Sequence, residues 1–288
     1  EGGRAAEQYL LGASRAYMPR LCELFAKFYP VMEDLLPRLL AVLLRCMASR
    51  NQTLAVEGVA AVRKVGDCLG GTLGPVGWDA VLRTFREASE AARPFPEEGA
   101  EELGLDELGV RTRCVVGLMV QRALGEVLQA HAHHHLSSGQ RAHALDTLKR
   151  SILAAADLNA DARRRGELQS VLRGGAEGWA DASLPPLPGG EPGLGGSGAD
   201  GGGLPGLLRQ EVEGCGVYLT AALRALGGPG GDHDPEIISR LVWLCSHVVA
   251  RCATCVEGPS PAAPVPPGAW PAVPEGDIGV RLALAGLG

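Results

Sequence analysis

The stretch LCELFAKFYPVMEDLLPRLLAVLLRCM, residues 21–47, decides the fold, because its apolar side chains recur every three to four residues. That spacing is the period of an α-helix. Pro30 and Pro37 interrupt the pattern, and a proline removes a backbone donor and clashes with the preceding turn. We therefore expect one helix that ends near Tyr29 and a second over about 31–48. Pro37 should either kink the second helix or lie in its first turns.

The segment NQTLAVEGVAAVRKVGDCLGG, residues 51–71, follows with signals for both of its ends. Ser49 and Gln52 have the spacing of a capping box, Asn51 is a competing N-cap, and Gly70-Gly71 is typical of a helix stop. Consecutive helices joined by a short loop should pack antiparallel. One stripe should then bury itself against another, and the predicted stripes are Leu35, Leu39 and Leu43 against Leu54, Val62 and Val65.

Helical periodicity continues along most of the chain. A helix over about 76–92 places Trp78, Val81, Leu82 and Phe85 on one face. Ser137 and Gln140 repeat the capping-box spacing, and Asn159 is expected to start a separate helix. Before the last helix, Asp234 is the predicted N-cap, with Pro235 in the first position and Glu236 at the positive end of the helix dipole.

Composition divides these helices into blocks. Residues 174–206 hold 13 Gly and 5 Pro, too few large side chains to offset the entropy of ordering. The final GVRLALAGLG is either a short docking helix or a truncated one. The predicted organisation is helical repeats over 1–92, an acidic loop over 93–105, helical repeats over 106–173, a Gly/Pro-rich linker over 174–206, a helical hairpin over 207–257 and a Pro-rich tail over 258–288.

The predicted fold class is all-α, because period-two alternation never lasts and no Asn-Gly or Asp-Gly turn separates alternating runs. Helical hairpins in succession favour an α-solenoid of the HEAT or armadillo type. The net charge of −6 argues against a polybasic nucleic-acid binder. No uncharged apolar run approaches a membrane span, and we see no signal peptide. The first residue is Glu1, so we interpret the chain as a segment of a longer protein.

Few residues suggest chemistry. The histidines 131, 133, 134 and 135, with His143 nearby, could ligate a metal, but the run contains no Cys, Asp or Glu. We expect these four side chains to be largely exposed at a loop tip. Cys245, His247, Cys252 and Cys255 fall on a periodic helical run without turn residues, which favours core or interface cysteines over zinc. The eight cysteines are mostly scattered singly, which indicates reduced and buried thiols.

Other charged or glycine-rich stretches have ordinary explanations. The Gly runs follow no strand and precede no Gly-Lys-Ser/Thr, so neither a phosphate-binding loop nor a dinucleotide fingerprint is present. The pairs Glu33-Asp34 and Glu97-Glu98 and the run Arg163-Arg164-Arg165 are typical of solvated helix faces. We therefore predict no catalytic, cofactor-binding or metal-binding residues and no cofactor.

Several stretches resemble the C-terminal helical region of the large, brefeldin A-inhibited Arf guanine-nucleotide exchange factors, the BIG group. They occur in the family's order across about 25–255, and Trp78 falls where that family has a Trp opening a helix. These stretches are FAKFYPVMEDLLPRLLAVLLRCM (25–47), NQTLAVEGVAAVRKV (51–65), CVVGLMVQRALGEVL (114–128), HLSSGQRAHALDTLKRSILAAADLNADARRRGEL (135–168) and LPGLLRQEVEGCGVYLTAALRAL (204–226).

The resemblance implies a non-catalytic region of a parent protein that acts on Arf GTPases at Golgi and endosomal membranes. The family's exchange domain and glutamate finger are absent from these residues, so this chain is not expected to be an enzyme. Implied partners are small GTPases of the Arf or Rab type, a second exchange-factor subunit or a second copy of the chain, with peripheral membrane contact and no nucleic acid. The alternatives are a stand-alone helical-repeat adaptor unrelated to Arf and a metal-dependent hydrolase built on the histidines.

Overall fold

The computed structural model describes residues 2–93, 107–160, 206–226 and 234–256. Within these ranges every regular element is a helix, so the all-α prediction is confirmed. The elements are α1 (Gly2–Lys27), α2 (Tyr29–Met32), a 3-10 turn (Glu33–Leu35), α3 (Leu36–Met47), α4 (Gln52–Leu69), α5 (Pro75–Ala91), α6 (Glu107–His131), α7 (Ser138–Ala160), α8 (Gly206–Leu226) and α9 (Pro235–Val256).

Several predicted features lie outside the described residues. They are nearly all of the acidic loop, the Arg163-Arg164-Arg165 run, the Gly/Pro-rich linker up to residue 205, and the Pro-rich tail. Asn159 lies inside α7, so the prediction that it starts a separate helix is wrong. No Gly or Pro interrupts the chain just before Asn159, and the weak preference of Asn for a cap does not end an otherwise continuous helix.

The helix starts follow the capping chemistry of the sequence. The side chain of Asn51, not that of Ser49, caps α4, and its Oδ1 accepts from the backbone N–H of Leu54 at 3.2 Å. The capping box at α7 is confirmed, because Gln140 Oε1 and Ser137 Oγ each accept from the other residue's N–H, at 3.0 and 3.3 Å. Asp234 Oδ1 accepts from the N–H of Glu236 at 3.0 Å and caps α9.

The two prolines of the opening stretch each begin a helix. Pro30 lies at the start of α2 and Pro37 at the start of α3, where a missing N–H costs nothing. The expected single helix over 31–48 is therefore wrong in its first part, which forms the last residues of α2 and the 3-10 turn. Of the two placements considered for Pro37, the structure has the one in the first turn.

This break also changes which leucines are buried. Leu35 is 40% exposed and Leu39 is half-buried, so the predicted stripe is wrong at these two residues, whereas Leu43 is buried as predicted. The buried stripe of α3 is instead Leu36, Leu40, Leu43 and Met47, because the 3-10 turn resets the helical phase. On α4, Val62 and Val65 are buried as predicted, whereas Leu54 is half-buried.

A close approach of two backbones joins α3 to α4. A Cβ added at Gly58 would lie 2.9 Å from both the Cγ and the backbone N of Met47. Only glycine fits between these helices without a shift of backbone. The sulfur of Cys22 on α1 donates to the carbonyl oxygen of Ala61 at 3.7 Å, so α4 lies between α1 and α3.

The helices form two rows. In one row α1 packs on α4, α4 on α6, and α6 on α8; in the other, α3 packs on α5 and α5 on α7. Each member of the second row also packs against the helix that follows it, and α9 packs mainly on α8. The core lies between the rows and includes the fully buried Trp78, Phe85, Leu124, Leu145 and Ile152.

Candidate functional site

The histidine run lies at the junction of three helices. His131 is on the last turn of α6, and its ring lies 5.0 Å from that of Trp78, the two rings being tilted. Only 12% of its side chain is exposed, and Nε2 lies 3.8 Å from Asp67 Oδ1. Burial is the main cause of a lowered pKa for His131, with the charge of His135 adding to it and that of Asp67 opposing it.

The prediction that all four histidines are largely exposed is therefore wrong for two of them. His131 and His133 are half-buried, whereas His134 and His135 are exposed. The reason is that α6 runs through His131, which points this side chain at the neighbouring helices instead of into a loop. Gly70 makes room for it, because a Cβ at that position would overlap the His131 ring.

No three ligands converge at the histidines. Neighbouring histidine rings lie 5.6 to 6.3 Å apart, centroid to centroid. Among the described residues there is no group of three or more His, Cys, Asp or Glu side chains that could hold a metal ion. The turn therefore has the character of a packing contact between α4, α5 and α6.

Three of the described cysteines are buried thiols that are hard to ionise. Cys22, Cys114 and Cys215 are buried, and burial raises the pKa of Cys22 to about 11 and that of Cys114 to about 12. Such thiols are protonated at neutral pH and are poor nucleophiles. Cys68 and Cys245 are exposed, so the expectation of buried cysteine is wrong for these two.

The residues of the suspected cysteine-histidine motif are spread along α9. His247 stacks on Trp243 with ring centroids 5.4 Å apart, and its Nε2 lies 3.6 Å from Glu211 Oε1 on α8. The exposed Cys245 is on another face of the helix. The side chains of Cys252 and Cys255 lie outside those described. His247 therefore contributes to helix packing.

Two bidentate ion pairs hold α9 against α8 and α7, and the Glu211 carboxylate of one pair is buried. Arg251 Nε and Nη2 on α9 donate to the two carboxylate oxygens of Glu211, at 2.6 and 3.0 Å, and the Glu211 side chain is 3% exposed. Arg240 binds Asp146 of α7 in the same two-pronged way, at 3.0 and 2.8 Å. Bidentate pairs of this kind are directional, so they hold α9 with one defined face inward.

A shallow cleft lies between α5, α6, α7 and α8. Ser89 and Ser151 hydroxyls are 2.6 Å apart across it, and Gln121 and Gln210 line its floor. Its enclosed space corresponds to about one water molecule. A site of this size does not accommodate a substrate or an organic cofactor.

Among the described residues, α1 and the residue that follows it carry a row of large, exposed apolar side chains. Tyr17, Leu21, Leu24 and Phe28 are spaced by four, three and four residues and are 66%, 48%, 55% and 44% exposed. We call these four residues the α1 stripe. The adjacent face of the same segment is buried through Cys22, Phe25 and Tyr29. Large apolar side chains gathered on one exposed face mark an interaction site more often than scattered ones do.

A second exposed apolar face lies on α9. Ile238, Val242 and Val249 are 40%, 60% and 67% exposed, and the exposed Cys245 lies between them. We call these four residues the α9 stripe. Its inward neighbours Ile237 and Leu244 are buried. The α1 stripe thus lies at one end of the row α1, α4, α6 and α8, and the α9 stripe lies on a helix that packs on α8 at the other end.

Comparison with protein families gives one match, to the BIG2 C-terminal domain, over residues 115–260. This is just over half of the chain. The chain belongs to the BIG2 C-terminal domain family. No curated protein and no solved structure matches it significantly. The BIG2 C-terminal domain match begins within α6 and includes α7, α8 and α9, so it contains the α9 stripe but not the α1 stripe.

Helical periodicity alone does not distinguish the two stripes of this BIG2 C-terminal domain family member from the core. Leu21, Leu24 and Phe28, like Ile238 and Val249, satisfy helical periodicity as well as their buried neighbours do. The signal that distinguishes them is that α1 and α9 are apolar on more than one face. Such a helix needs a partner on each face. Among the described helices, none is long and apolar enough to cross a membrane.

Proposed function

We propose that this chain is the non-catalytic C-terminal regulatory and scaffolding region of an Arf guanine-nucleotide exchange factor. The parent protein would act in vesicle trafficking, in the cytoplasm and peripheral to Golgi and endosomal membranes. Two observations support the proposal. The resemblance to the BIG group extends in order across about 25–255, and the matched family carries the name BIG2 in its description. The role of the region is to bind a partner protein.

The proposed architecture is an α-solenoid of the HEAT or armadillo type. Its support is the pairing of helices into two rows, in which α3–α4, α5–α6 and α7–α8 form successive pairs that each contact the next pair. In such proteins each repeat is stabilised by its neighbours, and the end repeats present faces that a further element can cover. The α1 stripe is a face of this kind.

The α1 stripe is the observation that carries the proposal. Two of its four members are aromatic, and aromatic anchors contribute most of the binding energy in many protein interfaces. The ion pairs Arg15–Glu57 and Lys64–Glu23, at 3.4 and 3.2 Å, tie the flanks of α1 to α4. These bonds hold the stripe outward, so a partner meets an already ordered surface and binding costs less ordering entropy.

The proposed partner is an Arf GTPase, and the alternatives are a Rab GTPase or a second exchange-factor subunit. Burying a fully exposed leucine or phenylalanine stabilises a complex by about 1.5–3 kcal/mol. The stripe offers four large, partly exposed side chains. This is enough for a specific contact of modest affinity.

The first test is binding of purified chain to an Arf in its GTP-loaded and GDP-loaded forms. The double variant L21D/L24D should weaken Kd at least about tenfold, because two charges would have to be buried in the interface. Val76→Asp is the matched control, since Val76 is 83% exposed on α5. Circular dichroism checks that all three proteins keep their helices.

The second test separates scaffolding from catalysis. The chain should not accelerate release of a fluorescent nucleotide from any Arf, because no exposed acidic finger is expected in this region. A dose-dependent acceleration would contradict the non-catalytic role. Failure to bind any Arf in either nucleotide state would contradict the Arf proposal and favour a helical adaptor unrelated to Arf.

A further inference from the structure

One long edge of the α1 stripe is basic. Arg20 and Lys27 are both exposed, and they are seven residues apart on α1. Two helical turns place them on the same side of the helix, about 10 Å apart along its axis and about 80° around it from the centre of the stripe. The other edge of the stripe borders the buried face of Cys22, Phe25 and Tyr29. The stripe therefore has one edge against the protein and one charged edge in solvent.

The two charges of this edge are not neutralised by the described part of the protein. Among the described residues, neither Arg20 nor Lys27 has a carboxylate within ion-pair distance. The other charged side chains described on α1, Arg15 and Glu23, both form ion pairs with α4. Lys27 Nζ lies 6.0 Å from the centre of the Phe28 ring, at the end of the stripe. Positive charge thus lies directly beside the exposed apolar side chains.

The α9 stripe has no charged edge of this kind. Arg240 and Arg251 of α9 donate to Asp146 and Glu211 on neighbouring helices, and every exposed residue within 238–250 is uncharged. The whole chain has a net charge of −6, so the excess of positive charge beside the α1 stripe is opposite to the average. Charge at the rim of an apolar patch steers a partner of opposite sign into register.

An acidic protein surface fits this edge better than an anionic membrane does. Segments that bind anionic lipid gather roughly four to eight Lys and Arg residues, and the edge of the α1 stripe has two. These two charges have a fixed separation along α1 and an ordered apolar stripe beside them. A protein surface offers apolar and acidic groups at fixed positions in the same way.

We propose that the partner protein of the α1 stripe presents an apolar patch with carboxylates along one border, which pair with Arg20 and Lys27. This inference rests on the proposed function, in which α1 is the partner-binding face. The Arg20 guanidinium has the geometry to donate to both oxygens of one carboxylate, and the Lys27 ammonium attracts a second one as a point charge. Both pairs lie at the rim, so they act mainly on the association rate and its salt dependence.

Two synthetic helical peptides test this charge preference without Arf. They share a leucine face and differ only in the residues that flank it, which are glutamate in one peptide and lysine in the other. On the native full chain, fluorescence anisotropy should show the glutamate peptide binding at least about tenfold more tightly at low salt, with a smaller difference at high salt. The R20E/K27E variant should lose this preference, and the neutral variant R20Q/K27Q should have an intermediate one.

Two arginines of α3 provide the matched control. Arg38 and Arg45 are also exposed, seven residues apart and without an ion pair among the described residues, and α3 belongs to the other row of helices. The R38E/R45E variant makes the same change in net charge and should keep the preference for the glutamate peptide. Circular dichroism establishes that the helices are intact in every variant.

The same variants are then measured with GTP-loaded Arf by stopped-flow fluorescence. At low salt R20E/K27E should slow association about fivefold and leave the dissociation rate within about twofold of the wild type. The R38E/R45E variant should change neither rate by more than about twofold.

Equal affinities for the two peptides, or a preference that persists in R20E/K27E, would overturn the proposal. Binding to vesicles of phosphatidylcholine and phosphatidylserine that depends on these two residues, without a peptide preference, would also overturn it and assign the edge to lipid. A peptide preference lost only in R20E/K27E, together with no binding to Arf, would support the acidic border and contradict the Arf proposal. Arf binding with an association rate unchanged in R20E/K27E would contradict the acidic border and leave the Arf proposal standing.

Discussion

About half of the residues in each of the helices α5 and α1 are apolar, but the two helices use them differently. On α5, Trp78, Val81 and Phe85 form one stripe that is completely buried between the rows. On α1, Phe25 points inward and Leu24 points outward, and Phe28, directly after the last turn, also points outward. A helix in the middle of the stack has neighbours on both sides of its apolar face, and α1 has described neighbours on one side only. The comparison indicates that the surplus apolar face of α1 is there for a partner.

The largest expected difference between the two helices is in the effect of removing a phenylalanine. Phe85 is fully buried, so Phe85→Ala should lower the free energy of unfolding by about 3–5 kcal/mol. Phe28 is 44% exposed, so Phe28→Ala should cost about 1 kcal/mol or less. Urea unfolding followed by circular dichroism measures both. Equal losses would show that α1 buries its outer face as α5 does.

The next prediction concerns the ion pairs of α9, at the end of the stack away from α1. Glu211→Gln breaks a buried, bidentate pair with Arg251 and should cost about 3 kcal/mol. Glu236→Gln, within α9 and 61% exposed in its i, i+4 pair with Arg240, should cost about 0.5 kcal/mol or less. If the two substitutions had the same small effect in urea unfolding, the ion pairs would not be what orients α9.

The smallest expected effect is a pH dependence at the end of α6. The pKa of His131 in the folded chain lies below 6.5, mainly because of burial. As the pH falls, His131 is therefore protonated in the unfolded chain at a higher pH than in the folded chain. Stability from neutral His131 is therefore complete above about pH 6.5 and is lost as pH falls through the folded pKa. His133 has the same direction of shift, caused first by burial and then by Arg224 and Arg141.

His131→Gln should therefore lower stability at neutral pH and reduce, without abolishing, the decline of stability between about pH 7 and about pH 5.5. Thermal unfolding at the two pH values measures this slope. His134→Gln removes an exposed imidazole from the same turn and serves as the control. An unchanged slope in His131→Gln would mean that the ring titrates as in the unfolded chain.

Much of the fold could be predicted from local signals. Asn51, the Ser137–Gln140 box and Asp234 mark helix starts, because capping depends on residues close in sequence. The phase of α3 could not be predicted in this way. It depends on a 3-10 turn before Pro37, and a shift of one residue moves burial from Leu35 to Leu36.

The candidate site was harder to predict than the fold. Periodicity identifies Leu24 and Phe25 as members of an apolar helix, but it does not say which of two apolar faces has a neighbour. That distinction depends on the order in which helices pack. His131 presents the same difficulty, because a histidine-rich turn suggests solvent until the position of Trp78 is known.

Amide hydrogen exchange with and without GTP-loaded Arf tests whether the α1 stripe binds the partner, because it compares α1 and α5 in one experiment. We predict that Arf slows exchange in peptides covering residues 15–28 and leaves those covering 75–91 unchanged. Arf binding that protects other helices and leaves residues 15–28 unaffected would contradict the assignment of the α1 stripe as the partner-binding face.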